Sequence, residues 1–215
     1  MLDALAALAR PSGLGVLGAF HPEDGDGAPA GCGTLALLGP DGPGFWEVFA
    51  ASPERSDGRP DPLDRWSERV VGGLAAALGA RALYPFGGPP WQPFTGWARR
   101  SGAAWESPVG LLVHARLGLW VSYRGALAFA ARLELPGPAA RPCDDCAGRP
   151  CLAACPVGAL ARQGYDVAAC HGWLDTAGGA DCMARGCAVR RACPVGQGLR
   201  PEAQSAFYMT AFHGR

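Results

Sequence analysis

The residues in this 215-residue chain whose type and spacing most directly imply chemistry are its nine cysteines, eight of which fall between Cys143 and Cys193. The first run reads C-D-D-C-A-G-R-P-C-L-A-A-C-P and the last C-M-A-R-G-C-A-V-R-R-A-C-P, with Cys170 between them. Both end in Cys-Pro, at Cys155-Pro156 and Cys193-Pro194. Closely spaced thiolates followed by Cys-Pro are how a chain wraps a cubane iron-sulfur cluster. Three ligands come from one loop, and the proline stops that loop so that the fourth cysteine faces elsewhere. Cys143, Cys146, Cys151, Cys155, Cys170, Cys182, Cys187 and Cys193 are thus enough for two [4Fe-4S] clusters. Zinc is the competing reading, but its usual signature is paired Cys-x2-Cys knuckles, and only Cys143 and Cys146 form such a pair. Disulfides would need export, and Met1-Leu2-Asp3 opens without a basic region or a long apolar one. The ninth cysteine, Cys32, sits in an apolar stretch and reads as a small core residue.

The rest of the composition acts mainly by exclusion. All nineteen positive residues are arginine, and the chain has no lysine, asparagine or isoleucine. Schiff-base chemistry, a pyridoxal phosphate anchor, a Walker-type phosphate loop and N-glycosylation are therefore ruled out. Neither a G-x-S-x-G elbow nor an H-E-x-x-H helix is present. Formal net charge is zero and the pI is near 6.9, so no global field draws nucleic acid or an acidic membrane. No apolar run approaches a membrane span. A soluble, cytoplasmic protein without nucleic-acid or membrane partners is expected.

The elements that must position the cysteines follow from periodicity. Helices are expected over 2–10, 45–51, 62–78 and 92–100, the third with Leu63, Trp66, Val70, Val71, Leu74 and Leu78 on one side and Gly79 as its stop. Strands are expected over 14–20, 32–38, 82–85, 109–113 and, as one long element, 119–131. Interleaved strands and helices imply an α+β domain over 1–135, and Leu135-Pro136-Gly137-Pro138 reads as a linker. A small, mainly helical cysteine module follows over 136–200, with short helices after each Cys-Pro and over 167–174. Residues 201–215 form a C-terminal segment whose helix, carrying Ala206, Phe207, Met209, Thr210 and Phe212, packs back as an amphipathic element.

The segment V-H-A-R-L-G-L-W-V-S-Y-R-G-A-L over 113–127, followed by a two-cluster ferredoxin-type module, resembles epoxyqueuosine reductase, a corrinoid iron-sulfur enzyme. The string H-x-x-x-G-x-W-x-x-x-R-G from His114 to Gly125 also resembles the cobalamin-processing proteins of CblC type. The resemblance covers about 84–194 and implies a nitroreductase-derived, CblC-like N-terminal layer that holds cobalamin. It further implies crosswise ligation, with Cys143, Cys146, Cys151 and Cys193 on one cluster and Cys155, Cys170, Cys182 and Cys187 on the other. The intervals Cys146–Cys151, Cys182–Cys187 and Cys187–Cys193 are each two residues wider than the ferredoxin spacing, and Ala115 stands where the family has proline. The reductase's tRNA-contacting C-terminal repeats have no counterpart, so tRNA modification is not expected.

On this resemblance His114, Trp120, Tyr123 and Arg124 lie near a corrinoid, with Tyr84, Phe86 and Trp91 as wall residues. Tyr123 is the candidate proton donor, and Arg124 is the partner for a propionamide or phosphate. The clusters would pass electrons from a flavodoxin- or ferredoxin-type donor to the corrinoid, for cobalamin processing or cobalamin-dependent reduction. The alternative is a ferredoxin-like electron carrier whose N-terminal domain is a docking scaffold without a cofactor. The plainer readings make Trp120 and Tyr123 core residues and His114 a satisfied turn residue. Arg185, Arg190, Arg191 and Arg200 read either as a docking face for an acidic carrier or as solvated surface. His21, His171 and His213 carry no functional reading.

Overall fold

Leu2 and Leu5 recur at helical spacing and Pro11 ends the pattern, and in the computed structural model, which describes residues 1–214, helix α1 spans Leu2–Ala9. Strand β1, Leu14–Phe20, and strand β2, Thr34–Pro40, follow. β2 is buried at every position, as the apolar run after Thr34 requires, and the Thr34 hydroxyl donates to the Ala131 carbonyl. Helices α2, Gly44–Ala50, and α3, Pro53–Ser56, lead into α4, Pro62–Leu78, which Gly79 ends in the left-handed conformation. Strand β3, Arg81–Leu83, and helix α5, Phe94–Arg100, come next. Strands β4, Ala104–Glu106, and β5, Leu112–His114, form a two-stranded sheet. Strand β6, Gly125–Phe129, precedes the short hairpin β7, Leu160–Ala161, and β8, Gly164–Tyr165. Helices α6, Val167–Leu174, α7, Ala180–Arg185, α8, Ala188–Arg191, and α9, Glu202–His213, complete the chain.

These elements mix helix and sheet in an α+β architecture and divide into two units. The first comprises Met1–Ala104 and Ser122–Ala139; the second comprises Trp105–Val121 and the residues from Ala140 onward. The first is built on an antiparallel sheet of order β1-β2-β6-β3. Phe45 and Phe49 meet Trp66 edge-on, with ring centroids 5.4 and 6.1 Å apart. All three rings are almost wholly buried, and burying each side chain contributes on the order of 2 kcal/mol. Glu54, on α3, is buried and held by the guanidinium of Arg69.

Several expectations need correction. The long strand over 119–131 is confined to Gly125–Phe129. Cys32 precedes β2 rather than lying in it, with its thiol 3.3 Å from the Thr34 carbonyl. Neither Cys-Pro is followed by a helix. Turns and the β7–β8 hairpin follow Cys155, and turns follow Cys193. α9 buries Gln204 and Ser205 while Phe207, Met209 and Phe212 are only partly covered, so it is not the apolar-faced helix its composition suggests. The expected single boundary after residue 135 also differs from the observed division, because Trp105–Val121 packs with the cysteines. Among the described residues no helix is long and apolar enough to cross a membrane.

Candidate metal centre

In the second unit a core of Val109, Val113, Leu119, Leu160 and Val189 includes Cys151 and Cys193, and Cys143, Cys155 and Cys187 pack against it. All nine cysteines are free thiols. The eight of the second unit fall into two groups according to which thiols act on each other.

Burial is the main cause that pushes the Cys151 thiol up, and Cys143, Cys193 and Cys146 push in the same direction. Burial likewise raises Cys143; Arg141 and Arg149 oppose the rise, while Cys193 and Cys146 add to it. A cavity of about 20 Å³ is lined by these four cysteines together with Val113, Leu119 and three prolines that flank them, Pro142, Pro150 and Pro194. In the other group, burial pushes Cys170 up, a hydrogen bond with the Tyr165 hydroxyl pulls it down, and Cys187, Cys155 and Cys182 raise it again.

The backbone is arranged to serve the sulfurs. The Ala159 N–H donates to the Cys155 Sγ at 3.2 Å, the kind of contact that tunes a thiolate ligand. Asp166 caps α6 by accepting from the Ala169 N–H at 2.9 Å, which fixes the helix that carries Cys170. Gly118 has φ +55, and a Cβ there would fall 2.9 Å from the Cys193 Sγ and 2.2 Å from the Val195 carbonyl oxygen. Only a glycine allows this approach. Among the described residues no group of three or more His, Cys, Asp or Glu side chains is placed to hold a single metal ion.

The candidate corrinoid residues are divided between the units. His114 and Trp120 belong to the second. His114 is buried, and its Nδ1 accepts from the Arg116 and Leu117 N–H groups at 3.1 and 3.3 Å, which closes the turn to Gly118. Trp120 is stacked by the Arg200 guanidinium, 5.1 Å from its ring. Tyr84, Phe86, Trp91, Tyr123 and Arg124 belong to the first unit. Tyr84 stacks on Phe86 and its hydroxyl donates to the Glu68 carbonyl at 3.2 Å; Trp91 is 65% exposed. Arg124 pairs with Asp64 at 3.2 Å and donates to the Tyr123 carbonyl. Tyr123 is buried, its hydroxyl has no hydrogen-bond partner, and desolvation pushes its pKa upward.

The four arginines read as a docking face are tied into the second unit. Arg185 pairs with Glu202 and Asp181, and Arg191 with Asp181 and the Gly186 carbonyl. Arg200 donates to the Trp120 carbonyl and Arg190 to that of Leu119. Two of the three histidines given no functional reading meet. His213 and His171 face each other through their Nδ1 atoms at 3.1 Å, and His213 Nε2 lies 2.9 Å from Asp175. Comparison of the chain with family models, curated proteins and solved structures returned no match.

Proposed function

We propose that this chain is a redox protein carrying two [4Fe-4S] clusters. Cys143, Cys146, Cys151 and Cys193 hold one, and Cys155, Cys170, Cys182 and Cys187 the other. The observation that supports this most is the cavity lined by Cys143, Cys146, Cys151 and Cys193, which is one of the two sets of four that crosswise ligation requires; Cys187, Cys155 and Cys182 act on Cys170, the remaining member of the other set. A four-iron core fills the space between its sulfurs, so its ligands need not converge on one point as those of a lone ion must. Such clusters, when bound, supply one-electron transfer. The chain's own part is to shield them. Val113 and Leu119 give the first group an apolar wall, and the Ala159 N–H and Tyr165 hydroxyl steady sulfurs of the second. A low-potential carrier of flavodoxin or ferredoxin type is the fitting donor.

Anaerobic reconstitution with iron and sulfide counting tests this reading, with about eight of each expected per chain. About four would leave one group empty, and a colourless protein would end the reading altogether.

A corrinoid acceptor is the second reading. One observation favours it, the buried Tyr123 hydroxyl that lacks a partner and could donate to a ligand. Arg124 and His114 are already engaged within the protein, so they fit that role less well than the sequence suggests. Addition of cob(II)alamin to the reconstituted protein should change its visible spectrum if this reading holds, and an unchanged spectrum with no retained corrinoid leaves the electron carrier.

A further inference from the structure

Beside the cysteine cavity the second unit holds a larger, polar cleft of about 440 Å³. Arg141, Arg149 and Arg162 line it together with Glu106 and Asp144, so positive groups outnumber negative ones. Arg141 is committed, since it donates to the Glu106 carbonyl at 2.9 Å and lies 3.8 Å from the Asp144 carboxylate. Among the described residues no hydrogen bond or ion pair engages the side chains of Arg149 and Arg162. A guanidinium keeps its charge and its five donors, and its planar fork matches the oxygens of a phosphate or carboxylate group.

Ser107 gives a second, independent observation. It lines the same cleft, it is only 6% exposed, and its hydroxyl has no hydrogen-bond partner. A buried hydroxyl left unpaired is costly, and rotation about the Cα–Cβ bond can offer its hydrogen to a ligand oxygen. Arg149 itself is held at φ +43, between Gly148 and Pro150. That conformation is unfavourable for a residue with a Cβ, and such strain collects where a side chain has to be presented to a ligand.

We infer that this cleft binds a small, polar, doubly charged anion, a phosphate monoester or a dicarboxylate, whose oxygens accept from Arg149, Arg162 and the Ser107 hydroxyl. The volume is in the range of small-molecule sites. No aromatic ring lines the cleft, so a nucleobase or another flat apolar group has nothing to stack on. Two unpaired guanidiniums favour two negative charges over one. Cys143 lines both this cleft and the cysteine cavity, yet the anion's contacts are to two arginines and a serine, none of them a proposed cluster ligand. The site therefore stands whether or not the clusters do.

Isothermal titration calorimetry on the full chain, with iron counted in every sample, tests this. The probes are glycerol phosphate and malate, with glycerol as the uncharged control. One or both dianions should bind saturably at about millimolar concentration or below, and glycerol should not; binding of one alone tells whether phosphate or paired carboxylates are preferred. Arg149→Gln and Arg162→Gln should each weaken binding about tenfold, whereas Asp144→Asn, which removes an opposing charge, should tighten it. Should Arg149→Gln lose iron because it sits close to Cys151 in sequence, Arg162→Gln at unchanged iron content decides. No binding by wild type, or binding that neither arginine variant weakens, would overturn the inference and leave the two-cluster reading intact. A protein without iron that still binds the anion would keep this site and end the two-cluster reading.

Discussion

Gly118 presses its backbone against Cys193, so that a single methyl group added there would meet the sulfur at 2.9 Å. The same methyl would also strike the Val195 carbonyl, and φ +55 is unfavourable for any residue with a Cβ. Gly118→Ala should therefore displace Cys193 and empty the first group, lowering iron from about eight to about four per chain. Iron analysis of the reconstituted variant checks this; unchanged content would show that the turn yields without moving the thiol.

Glu54 and Arg69 give the first unit an acid-sensitive joint. The guanidinium of Arg69 holds the Glu54 carboxyl down from 4.5 to about 2 against the opposing effect of burial. A carboxylate held below its unfolded value adds stability that is complete above that value and is lost as pH falls through the folded one. The window is thus pH 4.5 down to about 2. Because the Arg69 side chain is 54% exposed, solvent screening holds the contribution to about 1 kcal/mol rather than the full value of the shift. Thermal melts followed by circular dichroism should show that Glu54→Gln starts less stable at neutral pH and loses less stability across this window than wild type.

Cys32 should be dispensable for metal. It belongs to the first unit, its thiol bonds to the Thr34 carbonyl, and burial is the main cause of its raised pKa. Cys32→Ser is expected to keep all its iron, and the native thiol should react slowly with alkylating reagents at neutral pH. A loss of iron would assign it a ligand role.

Arg124 braces α4 through Asp64, with side chains 14% and 25% exposed respectively. Arg124→Ala should cost about 1 kcal/mol of stability in the first unit and leave iron content unchanged. If a corrinoid is bound, the same variant should hold it more weakly. Denaturant titration with parallel iron analysis separates these effects, and loss of iron would show that Arg124 supports the cysteines as well.

How much of this was legible beforehand depends on the range of the forces involved. The bounds expected for α4 and α6 match the structure; for α4, helical periodicity and the glycine stop at Gly79 are local signals, and the Asp166 cap that starts α6 is a further local signal the sequence reading did not use. The stretch from Leu119 to Ala131 was misread because burial alone makes it apolar. Its first residues belong to the cysteine-rich unit and only Gly125–Phe129 is strand, and hydropathy does not distinguish the two. Cysteine number and the two Cys-Pro endings point to two clusters, the division into two sets of four comes only from the resemblance, and the setting of Arg190 is hidden. An arginine in a run of arginines reads as surface, and only tertiary packing turns one of them toward Leu119. The His171–His213 contact joins residues 42 positions apart and left no pattern to read.

The path of the chain, which visits the cysteine-rich unit early, leaves it and returns, has a consequence during synthesis. Trp105–Val121 is synthesised and emerges ahead of the eight thiols of its unit, and it brings Val113, Gly118 and Leu119 with it. Severing the polypeptide at its proline-rich joint would therefore yield a back portion missing one of its own walls. If the proposed clusters are bound, their loading has to wait until both parts of the unit are made, and a fragment beginning at Ala140 would not be expected to hold them.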